Sequence, residues 1–307
     1  MVAILSYRRF AHRVVVFVFG AVACFVATPG PAASPGPAVT PEAAVGTIIP
    51  HRAIYRLSLL SARSDSTVTD VSGAMMFQWA DACDAWTIEQ HFNMDFVHGD
   101  GEELHVTSNL ATWEAKSGTR YRFNVRKTVN GNVDEEIKGQ ASLDPEGKGG
   151  TVHLDKPEAS DQPLDAGVLF PTRHSLVLLD RARAGDRFVI RTVLDGTDAE
   201  GPTEISAVVG QRVALKGGIG KGVEDKDQPS QEVLMTDAKR EVPLLSGSAW
   251  PMRLAFFPIK SDNYAPDYEM SMMMLDNGIA ESMQLDYGDF TVNAVLETLE
   301  PLPKSGC

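Results

Sequence analysis

The sequence predicts a mainly antiparallel β protein, built as one sandwich, barrel or open curved sheet with a single helix against it. Two observations predict the sheet: apolar and polar residues alternate with a period of two in many short segments, and turn dipeptides separate those segments. A third observation, one helical segment near the middle of the chain, predicts the helix that covers the sheet.

The alternation is clearest in three segments, which we predict to be half-buried strands with one side in the core and one in water. Their apolar positions are Trp86, Ile88, Phe92, Met94 and Phe96; Tyr121, Phe123, Val125 and Val129; and Tyr268, Met270, Met272 and Met274. Dipeptides suited to positive φ predict tight turns between strands. They are Asp100-Gly101, Asn130-Gly131, Asp195-Gly196 and Asn277-Gly278.

The helix is predicted from Thr172, as the capping residue, through Ala184. Leu176 and Leu179 fall on one face of this segment, and Gly185 supplies a stop signal. A single amphipathic helix of this kind can cover an apolar sheet surface that would otherwise be open to water.

The N-terminus has the three parts of a secretory signal. Arg8, Arg9 and Arg13 precede an apolar run over 14–27, and a stretch of small residues and prolines follows over 28–44. The apolar run is short for a membrane span, which needs about 20 residues. We therefore predict export, although an uncleaved anchor is the alternative.

The chain accordingly divides into a signal peptide over 1–33, a flexible Pro/Ala-rich segment over 34–45 and one β domain over 46–307. The mature protein is predicted to lack a transmembrane segment. Cys24 lies inside the signal and follows Ala21-Val22-Ala23, which faintly resembles a lipoprotein processing site. Acylation of Cys24 is therefore a second alternative, and the cleavage site stays open.

Removal of the signal leaves two cysteines, Cys83 and Cys307. An even pair in an oxidising compartment is the condition under which a disulfide forms and persists. We predict a Cys83–Cys307 bridge that fixes the C-terminal tail, 301–307, to an early strand. Two free thiols are the alternative.

The net charge of −13 argues against a nucleic-acid partner, because phosphate backbones bind basic surfaces. It also argues against docking on an anionic membrane by charge alone. Arg120, Arg122 and Arg126 share one face of a predicted strand, where we expect them to pair with Glu or Asp on neighbouring strands. Contact of this face with an anionic head group or a partner is the alternative.

Three histidines, His91, His98 and His105, recur every seven residues, a spacing that could suggest a metal site. On strands this spacing places successive histidines on opposite faces. A turn at Asp100-Gly101 would also place His98 opposite Glu103 instead of His105. We therefore predict solvated histidines and no metal.

No catalytic motif is complete. The segment 217–222 resembles a phosphate-binding loop but lacks the Ser or Thr that should follow Lys221, so we predict a surface loop. Ser175 follows His174 without the G-x-S-x-G elbow of the common hydrolases. The acid pairs 102–103 and 135–136 lie beside predicted turns. No catalytic residue and no cofactor are predicted.

One apolar group is a candidate ligand site. Flexible, polarizable methionines are frequent where a surface adapts to varied apolar ligands. The predicted acyl-chain site consists of Trp250, Phe256, Met270, Met272 and Met274. Ordinary core filling by the same residues is the alternative.

Several stretches together resemble the EipB family of bacterial cell-envelope integrity proteins, over about residue 47 to the end. They are Pro50-His-Arg-Ala-Ile-Tyr-Arg-Leu-Ser58, Cys83-Asp-Ala-Trp86, Leu169-Phe-Pro-Thr-Arg-His174, Leu194-Asp-Gly196, Trp250-Pro-Met252, Tyr268-Glu-Met270 through Asn277-Gly278, Asp286-Tyr-Gly-Asp-Phe290 and the final Cys307.

The resemblance implies a Gram-negative periplasmic protein with an internal disulfide and no established catalytic residues. It further implies a long, curved, spiral antiparallel sheet or half-barrel with one helix against it, similar to periplasmic lipoprotein carriers with an apolar cavity. Our first hypothesis is a non-enzymatic protein that supports envelope integrity by holding a lipid or acyl chain. The second is a scaffold that binds another envelope protein and has no cavity. An enzyme would need a site that the sequence does not supply.

Overall fold

The structure, a computed structural model, describes residues 48–215, 242–259 and 265–307. The predicted signal peptide, the Pro/Ala-rich segment and the glycine-rich stretch over 217–222 lie outside the described residues.

The described residues form one fifteen-stranded sheet whose strand pairs are antiparallel, which confirms the predicted class. The strands are β1 His51–Ala62, β2 Val68–Ala82, β3 Ala85–His98, β4 Glu103–Ala115, β5 Arg120–Val129, β6 Asn132–Leu143, β7 Gly150–Lys156, β8 Ser160–Leu164, β9 Phe188–Val193, β10 Thr203–Val209, β11 Val213–Leu215, β12 Gly247–Pro258, β13 Tyr268–Leu275, β14 Ala280–Asp286 and β15 Phe290–Pro301. The helix α1 is Pro171–Ala184, and a 3-10 helix covers Val242–Leu245.

The sheet is open and curved. Its strand order is β8-β7-β6-β5-β4-β3-β2-β1-β15-β14-β13-β12-β10-β9, with β11 paired to β12. The two ends of this order approach each other, since Gln162 in β8 donates a hydrogen bond to the carbonyl of Ala199, between β9 and β10, over 2.9 Å. The curvature therefore brings the sheet close to a barrel, as the sequence predicted.

Alternation explains why the strands form. In β5, Tyr121, Phe123 and Val125 are buried, while Arg122 and Asn124 between them are exposed. The predicted turns also form, because Gly101, Gly131, Gly196 and Gly278 all have positive φ. Lys127 also occupies an inward-facing position of this alternating pattern, and its buried ammonium group lies 3.2 Å from the Asp134 carboxylate. A charge in the core needs such a partner.

Helix α1 is where the sequence predicted it, and its C-terminal stop is confirmed. Gly185 adopts a left-handed conformation, and its N–H donates to the carbonyl of Ala182. Asp186 N–H reaches Arg181, which completes a Schellman motif. Leu179 is fully buried.

The predicted cap of this helix is wrong. Thr172 lies inside the first turn, because Pro171 has a fixed φ that favours the first helical position. The cap comes from Glu114 at the end of β4, whose carboxylate accepts hydrogen bonds from the N–H groups of Thr172 and Arg173 over 2.7 and 2.8 Å. A negative group also interacts favourably with the helix dipole there.

The predicted disulfide is confirmed. Cys83 and Cys307 are bonded, with their Cα atoms 5.9 Å apart. Cys83 lies in the turn between β2 and β3, and its N–H also donates to the Ser305 hydroxyl over 3.0 Å. The tail is therefore fixed to the turn after β2 by a covalent bond and by polar contacts.

Candidate functional site

The five predicted ligand residues lie together on one side of the β12–β13 pair. The register places Trp250 opposite Met274 and Phe256 opposite Tyr268. Between these pairs, Met272 and Met270 lie opposite Met252 and Leu254. Residues two apart on a strand share a face, so all five side chains join one apolar cluster.

Helix α1 covers this group, which we call the methionine cluster. Leu178, Leu179 and Ala182 of the helix pack into it, together with residues of β2, β9 and β10. Trp250, Phe256 and Met274 are buried, whereas Met270 and Met272 are partly exposed. Two flexible thioethers at the boundary of an apolar interior can rearrange around a chain-like ligand. The ligand-binding role of the five residues stays a prediction.

A row of stacked aromatic rings leads away from the methionine cluster. The ring centres of Phe256 and Tyr268 are 4.2 Å apart, and those of Tyr268 and Tyr287 are 6.1 Å apart. Tyr287 in turn stacks on Phe290 at 5.1 Å. Sequence reasoning missed Tyr287 as part of this interior, since Tyr268 becomes its neighbour only through the pairing of β13 with β14.

His174 and Ser175, the weak hydrolase candidate, both lie on α1. The Ser175 hydroxyl donates to the carbonyl of Pro171 over 3.0 Å, a bond within the helix. Burial lowers the pKa of His174 to about 4, with a smaller contribution from nearby Arg191, so this imidazole is neutral at pH 7. Its Nε2 atom, like the indole Nε1 of Trp79, is buried without a hydrogen-bond partner among the described residues.

The side chains of His91 and His105 bond to side chains of neighbouring strands, and the backbone N–H of His98 bonds within the turn. His105 Nδ1 lies 2.7 Å from Asp95, and His91 Nδ1 lies 2.5 Å from Asn109. The described residues hold no group of three side chains that could bind a metal.

The predicted register at this turn is wrong by one residue. Glu103 lies opposite Val97, and the N–H of His98 donates to the carbonyl of Glu102. The loop therefore has three residues and ends at Gly101 in a left-handed conformation, a common hairpin form.

The acid pair Glu135 and Glu136 is divided between two environments. Glu136 binds Lys156 over 2.6 Å, and this bond lowers the pKa of its carboxyl. Burial instead raises the pKa of Glu135 to about 7. Burial likewise raises the pKa of Asp198 to about 7, with smaller contributions from nearby acids including Glu200 and Glu135.

These raised values predict a pH dependence of stability. Burial also raises the pKa of Glu114 to about 7, against the opposing effect of its two helix N–H donors. The folded state therefore holds protons that the unfolded state releases, so stability falls as pH rises through this range. We expect the melting temperature to rise on acidification from about pH 8 to about pH 6. His174 and His51 oppose this trend as the pH approaches and falls below the unfolded histidine pKa of about 6.5, because burial lowers the pKa of both side chains.

Calorimetry on Asp198→Asn tests this expectation, since the variant should show a smaller rise over the same interval. Glu136→Gln is the control, because the pKa of its exposed carboxyl is lowered and lies outside that interval. A melting temperature that rises with pH in the wild type would contradict the assignment.

The expected arginine–acid pairing is wrong for two of the three arginines on β5. The guanidinium carbons of Arg120 and Arg122 lie 5.5 and 5.2 Å from the ring centre of Trp113, so both make cation–π contacts. Arg126 does lie opposite an acid, Glu136. Arg120 and Arg122 contact an aromatic ring because the strand register places Trp113 beside Arg122.

Three comparisons with known proteins agree on one family. The sequence profile of the EipB-like family matches residues 42–303. The cell envelope integrity protein EipB of Brucella abortus (strain 2308) is 30% identical over 270 residues, which cover 85% of this chain and 88% of that protein. The crystal structure of a beta-barrel-like protein from Brucella abortus, with a domain of unknown function, matches with a TM-score of 0.72 and 26% identity. It covers 84% of this chain and 100% of that one.

The match to an envelope integrity protein supports an envelope-integrity role and an envelope location for this chain. Among the described residues, no helix has both the length and the apolar character needed to cross a bilayer.

Proposed function

Because the chain belongs to the EipB-like family, we propose that it is a non-enzymatic periplasmic protein that supports envelope integrity by holding a lipid or acyl chain. The bound lipid or acyl chain would lie in the apolar interior between α1 and the β12–β13 pair. One observation carries the proposal: the partly exposed Met270 and Met272 stand at the edge of a large apolar cluster under a single helix. Ligand sites in proteins are commonly apolar and concave, with few polar groups.

Export is part of this proposal. Residues 1–33 would be removed as a signal peptide, and residues 34–45 would form a flexible segment that precedes the β domain. The Cys83–Cys307 disulfide supports an oxidising compartment, because such bonds rarely persist in the cytosol.

A scaffold for another envelope protein is the second candidate. Trp250, Phe256 and Met274 are already buried by the protein's own packing, as expected for a filled core. On the outer face, Trp113 and Arg122 line a groove of about 380 Å³. Exposed Trp and Arg are frequent anchors of protein interfaces.

Quenching of tryptophan fluorescence by a brominated fatty acid separates the two candidates. Trp79, Trp86 and Trp250 belong to the methionine cluster or pack against it, whereas Trp113 lies on the outer face. In a Trp113→Phe variant, the brominated chain is expected to quench a large part of the remaining emission. This quenching would report binding in the apolar interior, because bromine quenches tryptophan emission only at short range.

A double variant that carries Met270→Gln and Met272→Gln should weaken this binding about tenfold, since each amide adds a polar group to the apolar site. Met273→Gln is the matched control, because Met273 lies on the same strand but packs against a different apolar cluster. Quenching that is absent, or that falls equally in the control, would reject the acyl-chain proposal and favour the scaffold.

A further inference from the structure

A second groove, of about 340 Å³, lies where α1 ends beside the first residues of β9. We call it the arginine groove. Its lining includes Arg183, Arg187, Arg212, Trp250, Ser248 and Asp276. Arg183 lies in α1, Arg187 in the loop between α1 and β9, and Arg212 in the loop between β10 and β11. Trp250 belongs both to this lining and to the methionine cluster.

The charges in the arginine groove are unbalanced. Arg183 is neutralised, since its guanidinium binds Asp276 over 2.6 Å and Asp180 over 2.8 Å. Arg187 donates to the carbonyl of Val209 over 3.2 Å. Neither Arg187 nor Arg212 has a carboxylate partner among the residues that the structure describes. Within the described part of the chain, two guanidinium groups without a carboxylate partner therefore line one groove, in a protein whose net charge is −13.

An exposed apolar surface begins at the next residue after Arg187. The fractional exposures of Phe188, Ile190 and Val208 are 74%, 55% and 45%. The register places Val208 opposite Phe188, so the three side chains share the outer face of the β9–β10 pair. We call them the β9 patch. Arg187, which lines the arginine groove, directly precedes Phe188 of the β9 patch along the chain.

We propose that the arginine groove and the β9 patch together dock on the surface of a phospholipid bilayer that carries anionic head groups. Guanidinium groups bind phosphate through paired hydrogen bonds. Exposed aromatic and aliphatic side chains beside them enter the boundary between head groups and acyl chains. This inference goes beyond the proposed function and does not require a chain in the interior.

The acidic net charge does not prevent such docking. At physiological salt, exposed charges are screened over about 8 Å, so the membrane responds to the residues that face it. Docking by charge alone is disfavoured for the whole protein, which is why the apolar contact of the β9 patch is required.

A second copy of the chain fits this surface less well. β9 is an edge strand, but Arg191 donates to the carbonyl of Ile190 over 2.7 Å and occupies part of that edge. The backbone of Leu169 pairs with the other end of β9.

Flotation with vesicles tests the proposal on the full-length mature protein. We expect it to float with vesicles of phosphatidylcholine and phosphatidylglycerol, and several-fold less with phosphatidylcholine alone. The pair Arg187→Gln and Arg212→Gln should lower partitioning onto the anionic vesicles about tenfold. Phe188→Ser with Ile190→Ser should lower it at least as much.

Two control pairs match these changes elsewhere on the surface. Arg120→Gln with Arg122→Gln removes two arginines that contact Trp113 and have no carboxylate partner within residues 48–215, 242–259 and 265–307. Leu60→Ser with Val133→Ser removes two exposed apolar side chains. Both controls should float as the wild type does. Equal losses in the controls, equal binding to both kinds of vesicle, or no binding would overturn the proposal. So would self-association in light scattering that disappears with Phe188→Ser. Fatty-acid quenching in the same variants shows separately whether the interior site survives.

Discussion

Replacing Cys307 with serine is expected to lower the free energy of unfolding by up to about 5 kcal/mol under oxidising conditions. The bond joins residues separated by 224 positions, and a crosslink that closes so long a loop strongly restricts the unfolded chain. The serine variant keeps the contact between Ser305 and the turn at Cys83, so the change falls mainly on the unfolded state.

Denaturant unfolding of both proteins, with and without reductant, measures this effect. Reduction should lower the stability of the wild type to that of Cys307→Ser and leave the variant unchanged. A Cys83→Ser/Cys307→Ser double variant should match the single one, because both lose the same bond. An unchanged melting temperature in Cys307→Ser, beside a wild type shown to be oxidised, would contradict the stabilising role.

Replacing Gly196 with alanine is expected to lower the free energy of unfolding by about 3 kcal/mol. Gly196 has a φ of +76°, which costs alanine about 1 kcal/mol or more. A Cβ atom there would also lie 2.5 Å from Cδ2 of the buried Phe123 ring. The neighbouring carbonyl of Asp195 accepts the hydroxyl of Tyr121 over 2.6 Å, so the turn cannot move without breaking this contact.

Gly131→Ala is the matched control for the ring contact. Gly131 has a similar φ of +79°, and no atom lies within 4 Å of the added Cβ position. It should therefore report the backbone strain alone, about 1 kcal/mol. Equal losses in the two variants would show that Phe123 does not constrain the turn.

The strands and turns were predictable because their signals are local. The alternation around Phe123 and the dipeptide Asn130-Gly131 need only neighbouring residues to be recognised. The helix stop at Gly185 is equally local. The cap was not predictable, since Glu114 lies on β4 and reaches Thr172 only after the sheet has curved around α1.

The candidate site also has a part that local sequence predicts and a part that depends on strand pairing. Met270, Met272 and Met274 share a face by their spacing, and the pairing of β12 with β13 then adds Trp250 and Phe256. Cation–π contacts replaced the expected ion pairs of Arg120 and Arg122, because strand register places Trp113 beside them. The arginine groove joins four separate segments of the chain, so no local pattern indicates it.

Native mass spectrometry of the protein purified from the periplasm without detergent tests the lipid-holding proposal most directly. We expect a reproducible additional mass that organic solvent extracts and that fragmentation identifies as a lipid or fatty acid. The same spectrum gives the mature N-terminus, and the mass change on reduction gives the state of Cys83 and Cys307. A bare protein mass in several gentle preparations would contradict the lipid-holding function and favour an envelope scaffold.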